Sequence, residues 1–341
     1  MSSDFNTGNL TDEHDCLLLD LDGTVYRGST AIGGTVDLLD QLNCRTMFLT
    51  NNASRSCGEV AQHMRVMGFA VDPDDVITSA QAAARLLENE LPCGSKVLVI
   101  GTDALAAALA EAGLKPVRSQ GDAPVAVVQG HSPHTDWSQL AEGALAIRAG
   151  AMWVACNADA TFPTERGLVP GNGSMVAALR TATGSEPLTV GKPAPHMVRE
   201  ALSRGCFESP LVIGDRLETD IAGATAAGLP SMLALSGVSS ASDLIYAAAD
   251  CRPMFVAEDI CALTQAPDSL RISPQPGWDV AAGRSEVMIR SLDSEVNEGL
   301  SLVRAIAHAV WQIDREGCRP TLSAGDADSR RALLRWGLLD D

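Results

Sequence analysis

Carboxylates, hydroxyls, amides and one lysine gather at four places in this 341-residue chain. Three follow an apolar run directly: Asp20-Leu21-Asp22-Gly23-Thr24 after 16–19, Thr50-Asn51-Asn52-Ala53-Ser54 after 46–49, and Gly214-Asp215-Arg216, with Asp220, after 211–213. The fourth, Gly191-Lys192-Pro193-Ala194-Pro195, supplies a cation. Carboxylates brought within a few ångströms repel one another unless a positive ion neutralises them. Mg²⁺ answers that need, because it takes one or two carboxylates together with phosphate oxygens. Asp20 can ligate the ion through one oxygen and attack phosphorus with the other. Asp22, two residues along an extended segment, points to the same side and suits proton donation to the leaving oxygen, then activation of water. The Thr50 hydroxyl and Asn51 backbone N–H can hold the phosphoryl oxygens while Lys192 balances their charge. Gly23 lets the chain turn after the acidic pair. The chemistry expected is hydrolysis of a small phosphomonoester with Mg²⁺ as cofactor.

Each segment alone has a plainer explanation. A strand-end Asp or Thr is ordinarily a turn or a helix cap, and Asp-x-Asp-Gly also opens a calcium loop. The calcium reading fails because the ligand at the twelfth position is missing and an apolar strand, not a helix, precedes. Gly171-x-Gly173 lacks the third glycine of a dinucleotide loop and reads as a turn with a helix start. His131 and His134 have no evident third partner for a metal. What separates the four segments from such isolated cases is their joint occurrence and order.

The elements that must position them alternate. Apolar runs at 16–19, 46–49, 96–100, 123–128, 152–155, 188–190, 211–213 and 231–235 read as strands. Amphipathic patterns at 36–42, 59–67, 81–90, 137–149, 196–204 and 219–227 read as helices, many closed by glycine. Strand–helix alternation predicts parallel α/β sheets, in which ligands gather at the carboxyl ends of strands. After about residue 263 a linker reading (266–277, rich in Pro and Ser) leads to a C-terminal unit with helical patterns at 294–316 and 328–336. A unit this small is expected to pack on the rest of the chain, serving structure or dimerisation, so a homodimer is open.

Composition narrows the partners. The 25 basic residues face 43 acidic ones, a net charge of −18, which opposes a nucleic-acid backbone. No apolar run reaches the ~18 residues of a membrane span. The nine cysteines include no C-x-x-C pair and read as free thiols of a reducing compartment. The polar, acidic first residues lack the pattern of a secretion signal, so the cytoplasm is the expected location. The partner expected is a small phosphorylated metabolite.

The four segments resemble the motifs of the haloacid dehalogenase superfamily. Tyr26-Arg27-Gly28, the Asn51-Asn52 pair and Gly191-Lys192-Pro193-Ala194-Pro195 resemble its 4-nitrophenyl phosphatase-like and phosphoglycolate phosphatase-like branch. The resemblance spans roughly residues 15–263. It implies a Rossmann-like α/β core with a parallel sheet (1–87 and 188–265), an inserted α/β cap (88–187) and, beyond it, a small α+β extension (266–341). It further implies an aspartyl-phosphate on Asp20, with Mg²⁺ held by Asp20, the Asp22 carbonyl and Asp215, and Asp220 behind them. Because Asp20 and its neighbours are intact, a phosphatase is implied. Asn157-Ala158-Asp159 and Pro170-Gly171-Asn172-Gly173-Ser174 are similar to cap segments of the branch, with Cys156 where Thr is usual. Asn51, Asn52, His134, Asn157 and Asp159 are the substrate-binding candidates on that basis. The layout with its short extension implies glycerol 3-phosphate as substrate; phosphoglycolate, a sugar phosphate or a nucleotide are the alternatives. The segment 328–338 also resembles the last helix of an acetyltransferase fold, which would make the chain bifunctional, but the Gly-rich acyl-carrier loop is missing.

Overall fold

The computed structural model describes residues 8–164, 166–292, 299–313 and 319–339. The chain divides into two compact units, Met1–Thr46 with Phe207–Asp341, and Met47–Cys206.

In the first unit four parallel strands lie in the order Phe255–Ala257, Ser231–Ala234, Pro210–Gly214, Cys16–Asp20. Their residues are almost wholly buried, as the unbroken apolar runs require of strands covered on both faces. Leu19 stands opposite Ile213, so Asp20 and Gly214 leave the sheet side by side. A single π-helical turn, Leu217–Ile221, continues into the helix Ala222–Ala227.

The residues read as a linker instead include a short helix, Pro267–Leu270. Beyond them a three-stranded sheet forms: Trp278–Ala282 runs antiparallel to Glu286–Ser291, which pairs in parallel with Thr321–Ala324. The expected long helix, 294–316, is shorter than its pattern: it spans Ser301–Trp311, residues 299–300 and 312–313 are turns or bends, and 294–298 and 314–316 lie outside the described residues. The helix Ala327–Arg335 matches the second pattern. This C-terminal part shares one core with the π-helical turn and the strand Phe255–Ala257: Val287, Ile289, Leu302, Ile306, Leu322 and Leu333 pack in one cluster with Leu217, Ile221, Leu244 and Val256.

In the second unit the strand Arg45–Thr50, which enters from the first, pairs in parallel with Val76–Thr78. A five-stranded parallel sheet follows, in the order Leu188–Thr189, Met152–Ala155, Ala126–Gln129, Lys96–Ile100, Lys115–Val117. The helices Trp137–Arg148 and Asn172–Thr183 pack on it through Ala146, Ile147, Val176 and Leu179. A hairpin, Thr161–Thr164 with Gly167–Pro170, was not expected. Among the described residues no helix is long and apolar enough to cross a membrane.

The shared cluster makes a prediction. Ile306→Ala should cost about 2–5 kcal/mol, as large-to-small changes in a packed core do. In urea denaturation it should lower the midpoint of the same transition that Leu18→Ala lowers. A separate early transition, leaving the Leu18 transition in place, would show that the C-terminal part folds on its own.

Candidate active site

The carboxylates of the first unit meet at the carboxyl edge of its sheet. Asp20 ends one strand, Asp215 follows its neighbour, and Asp220 lies in the π-helical turn. Each offers an oxygen within 4.8 Å of the others. Asp20 is half-buried, whereas Asp215 and Asp220 are 0% and 1% exposed. Backbone donors hold the two buried groups: Val238 N–H donates to Asp215 Oδ2 at 2.7 Å, and Arg216 N–H to Asp220 Oδ2 at 3.0 Å. Glycine makes room around them. A Cβ on Gly237 would stand 1.9 Å from Asp215 Oδ2, one on Gly23 2.5 Å from it, and one on Gly214 2.3 Å from Asp220 Cγ. Gly23 also sits at φ +101°, a region other residues avoid.

An all-oxygen donor set this compact fits a hard divalent ion such as Mg²⁺, which would also offset the repulsion of the carboxylates. Asp22 is exposed and its Oδ1 accepts the Gly28 N–H at 3.2 Å. The hairpin carrying Gly28, Tyr26–Arg27 with Thr30–Ala31, is tied back by Arg27 Nε, which donates to the Ser236 carbonyl at 3.0 Å. The Ser236 hydroxyl in turn donates to the Gly23 carbonyl at 2.7 Å. A cavity of about 620 Å³ lies against this hairpin, lined by Arg27, Ile32, Leu235, Ser236, Glu258 and Trp336 among others. None of the three carboxylates lines it.

The second unit gathers Asn51, Asn157, Asp159 and Lys192. Lys192 is 6% exposed and its Nζ donates to the Leu49 carbonyl at 3.2 Å. Asn51 clamps the lysine's main chain: its Oδ1 accepts Lys192 N–H at 2.8 Å and its Nδ2 donates to Lys192 O at 3.2 Å. The same Nδ2 lies 3.4 Å from both Asp159 carboxylate oxygens. Asn157 is 4% exposed and donates to the Asn51 carbonyl at 2.7 Å. Thr50 Oγ1 accepts the Asn52 N–H at 3.2 Å, and Asn52 Oδ1 accepts from Ser54 N–H and Oγ, closing a local turn.

His134 is exposed, with its N–H on Ser132 Oγ. Its neighbour His131 instead stacks on Phe162 of the hairpin, ring centroids 4.8 Å apart, and burial holds its pKa below the ordinary value. Cys156 is fully buried, which pushes its thiol up to about 12 and removes it as a nucleophile. Sequence reasoning missed Asn172, Ser79, Gly237 and Phe162. Only the Gly171-Asn172-Gly173 pattern carried a signal, and it was read as local.

Residues 17–115 match the haloacid dehalogenase-like hydrolase family and 189–263 a HAD-hydrolase-like family; 275–338 match a GCN5-related N-acetyltransferase-like domain. The chain is 53% identical to the D-glycerol 3-phosphate phosphatase of Mycobacterium tuberculosis, over 97% of this chain and 96% of that protein. It is 33% identical to the acid sugar phosphatase of Staphylococcus aureus, over 68% of this chain and 90% of the relative. The crystal structure of the Mycobacterium tuberculosis glycerol phosphate phosphatase in complex with magnesium superposes with a TM-score of 0.93, covering 97% of this chain and 100% of that one.

Gly237→Ala should weaken Mg²⁺ binding by about tenfold or more, since displacing one buried carboxylate by even ~1 Å spoils a near-ideal octahedral shell. Calorimetric Mg²⁺ titration of both proteins checks this; unchanged affinity would show that Asp215 does not hold the ion.

Proposed function

The chain belongs to the haloacid dehalogenase-like hydrolases, and from that membership we propose that it hydrolyses glycerol 3-phosphate with Mg²⁺, by way of an aspartyl-phosphate on Asp20. The observation that carries the chemistry is the cluster of Asp20, Asp215 and Asp220 with ligand atoms inside 4.8 Å. The choice of ester rests on the mycobacterial relative.

The roles follow from the residues. Asp20 and Asp215, with the Asp22 backbone carbonyl, would hold the ion, and Asp220 would support them from the turn behind. Bound Mg²⁺ supplies positive charge to the phosphoryl oxygens as they crowd the carboxylates. A carboxylate oxygen of Asp20 attacks phosphorus and the bond from phosphorus to the ester oxygen breaks. Asp22 donates its proton to the departing glycerol oxygen, then takes a proton from the water that attacks the aspartyl-phosphate, so inorganic phosphate leaves and Asp20 is restored. Thr50 and the Asn51 N–H receive the phosphoryl oxygens, and Lys192 balances their charge. The hydrogen bonds that immobilise Lys192 and Asn51 support this assignment, since a fixed donor costs no reorganisation at the moment of reaction.

Residues 1–87 and 188–265 serve in this reading as the core and 88–187 as the cap that selects the leaving group, with Asn52, His134 and Asp159 on the substrate side; Asn157, expected there too, is buried, with its amide bonded to the Asn51 carbonyl and the Asp159 N–H, and acts behind them. The extension 266–341 is structural; its hydrophobic face is spent on the shared cluster. The acidic net charge supports a small-molecule substrate over nucleic acid, and the cysteines without a C-x-x-C pair support a reducing compartment, the cytoplasm, as the place of work. A homodimer is compatible with this reading.

Asp20→Asn should lower turnover by roughly 10⁴-fold or more, as removal of a nucleophile does. Asp22→Asn should cost ~10²-fold on glycerol 3-phosphate and less at the first step on 4-nitrophenyl phosphate, whose leaving group needs no proton. Steady-state assays with both esters check the pair; a near-native rate for Asp20→Asn would remove the nucleophile assignment.

Selectivity gives a second outcome. His134→Ala should change the ratio of kcat/KM for glycerol 3-phosphate over 4-nitrophenyl phosphate, because discrimination comes from contacts beyond the shared phosphoryl group. Equal losses on both esters would make the 130–136 loop a structural support.

A further inference from the structure

We propose that Asn172 is a positioning residue: a relay of side-chain amides, Asn172 to Asn157 to Asn51, fixes the main chain of Lys192. The inference rests on the reading of Lys192 as the cation that balances the transferring phosphoryl group. Four residues far apart in sequence are joined by successive hydrogen bonds, and each link ends on backbone.

The inner link is the two-point clamp of Asn51 on the Lys192 peptide, N–H to Oδ1 at 2.8 Å and Nδ2 to carbonyl at 3.2 Å. A peptide held at both its donor and its acceptor has little freedom to rotate, so the root of the lysine side chain is set by where Asn51 stands. Asn51 is held by its own carbonyl, which accepts from Asn157 Nδ2 at 2.7 Å and from Ser79 Oγ at 2.6 Å. Asn157 is held in turn, its carbonyl accepting Asn172 Nδ2 at 2.7 Å. The second hydrogen of that amide reaches the Gln129 carbonyl at 3.3 Å, at the end of a strand of the five-stranded sheet. Asn172, 2% exposed, therefore anchors the relay to the sheet.

Backbone packing makes the relay stiff. A Cβ on Gly171 would lie 2.3 Å from the Asp159 carbonyl oxygen, one on Gly173 2.2 Å from that of Ala158, and one on Gly191 2.4 Å from that of Cys156. The loops before Asn172, after Cys156 and before Lys192 thus touch main chain to main chain, with no flexible side chain between them to absorb a shift. Buried hydrogen-bonded networks of this kind reinforce one another, and an acceptor stripped of its donor drives local rearrangement. Asn172 is the first residue of the helix Asn172–Thr183, yet its side chain serves distant carbonyls and does not cap its own helix.

The test is a double-mutant cycle on the full chain, with 4-nitrophenyl phosphate as probe substrate and Mg²⁺ varied. Asn172→Ala should lower kcat about tenfold, as a modest misplacement of a charge-bearing group does, with KM within about threefold of the parent. The Mg²⁺ concentration for half-maximal activity should stay unchanged. In a Lys192→Ala background the same substitution should cost less than about twofold, because residues acting through one another are not additive. Asn172→Ser, which keeps a donor, should recover part of the loss and serves if the alanine variant does not fold. Equal factors in both backgrounds, or a change confined to KM, would overturn the relay alone. A native kcat/KM for Lys192→Ala by itself would overturn the reading of Lys192, and the relay with it.

Discussion

Three carboxylates with oxygens inside 4.8 Å are an arrangement that a protein does not reach by packing alone, since each opposes the others. Around Asp215 and Asp220 the opposition is met by backbone N–H groups of Val238 and Arg216, each of which donates to a carboxylate oxygen. It is met also by geometry: side chains are excluded at positions 23, 214 and 237, where any Cβ would collide with a carboxylate. Those glycines answer to the site. The pairing of Leu19 with Ile213 is the other half of the arrangement, because it brings residues some two hundred positions apart to one sheet edge.

Much of this was legible because strands buried on both faces are written as continuous apolar runs, and the first polar residue after each run marks the sheet's edge. Asp20, Thr50 and Asp215 could be found that way. Strands of three residues, Val76–Thr78, Lys115–Val117 and Phe255–Ala257, are too short to show a period. The C-terminal sheet was hidden for another reason: Val287, Met288 and Ile289 make an apolar run of only three residues between Glu286 and Arg290, after a stretch whose prolines imply a linker. Its inward face became readable only with the helix Ser301–Trp311 against it.

Within the site, residues acting through their own side-chain charge were legible and residues acting through hydrogen bonds to distant backbone were not. Asn172 stands between two glycines, where the local signal for a turn and helix start is complete without it. Nothing in the spacing announces that its amide reaches residues 129 and 157. Phe162 is the same case, because its stacking on His131 depends on a hairpin whose strands include two prolines and two threonines.

The C-terminal part gains a physical meaning from the turn that carries Asp220. Leu217 and Ile221 flank that aspartate in sequence and face the opposite way, into the cluster filled by Leu302, Ile306 and Leu333. In a π-helical turn the i→i+5 closure, here Ile221 N–H to the Arg216 carbonyl at 3.3 Å, gives a wider and weaker loop than an α-turn. Such a turn keeps its shape through what packs on it. The hydrophobic face of the C-terminal part, used here to back the turn, ties the position of a buried carboxylate to Leu302, Ile306 and Leu333, far along the chain.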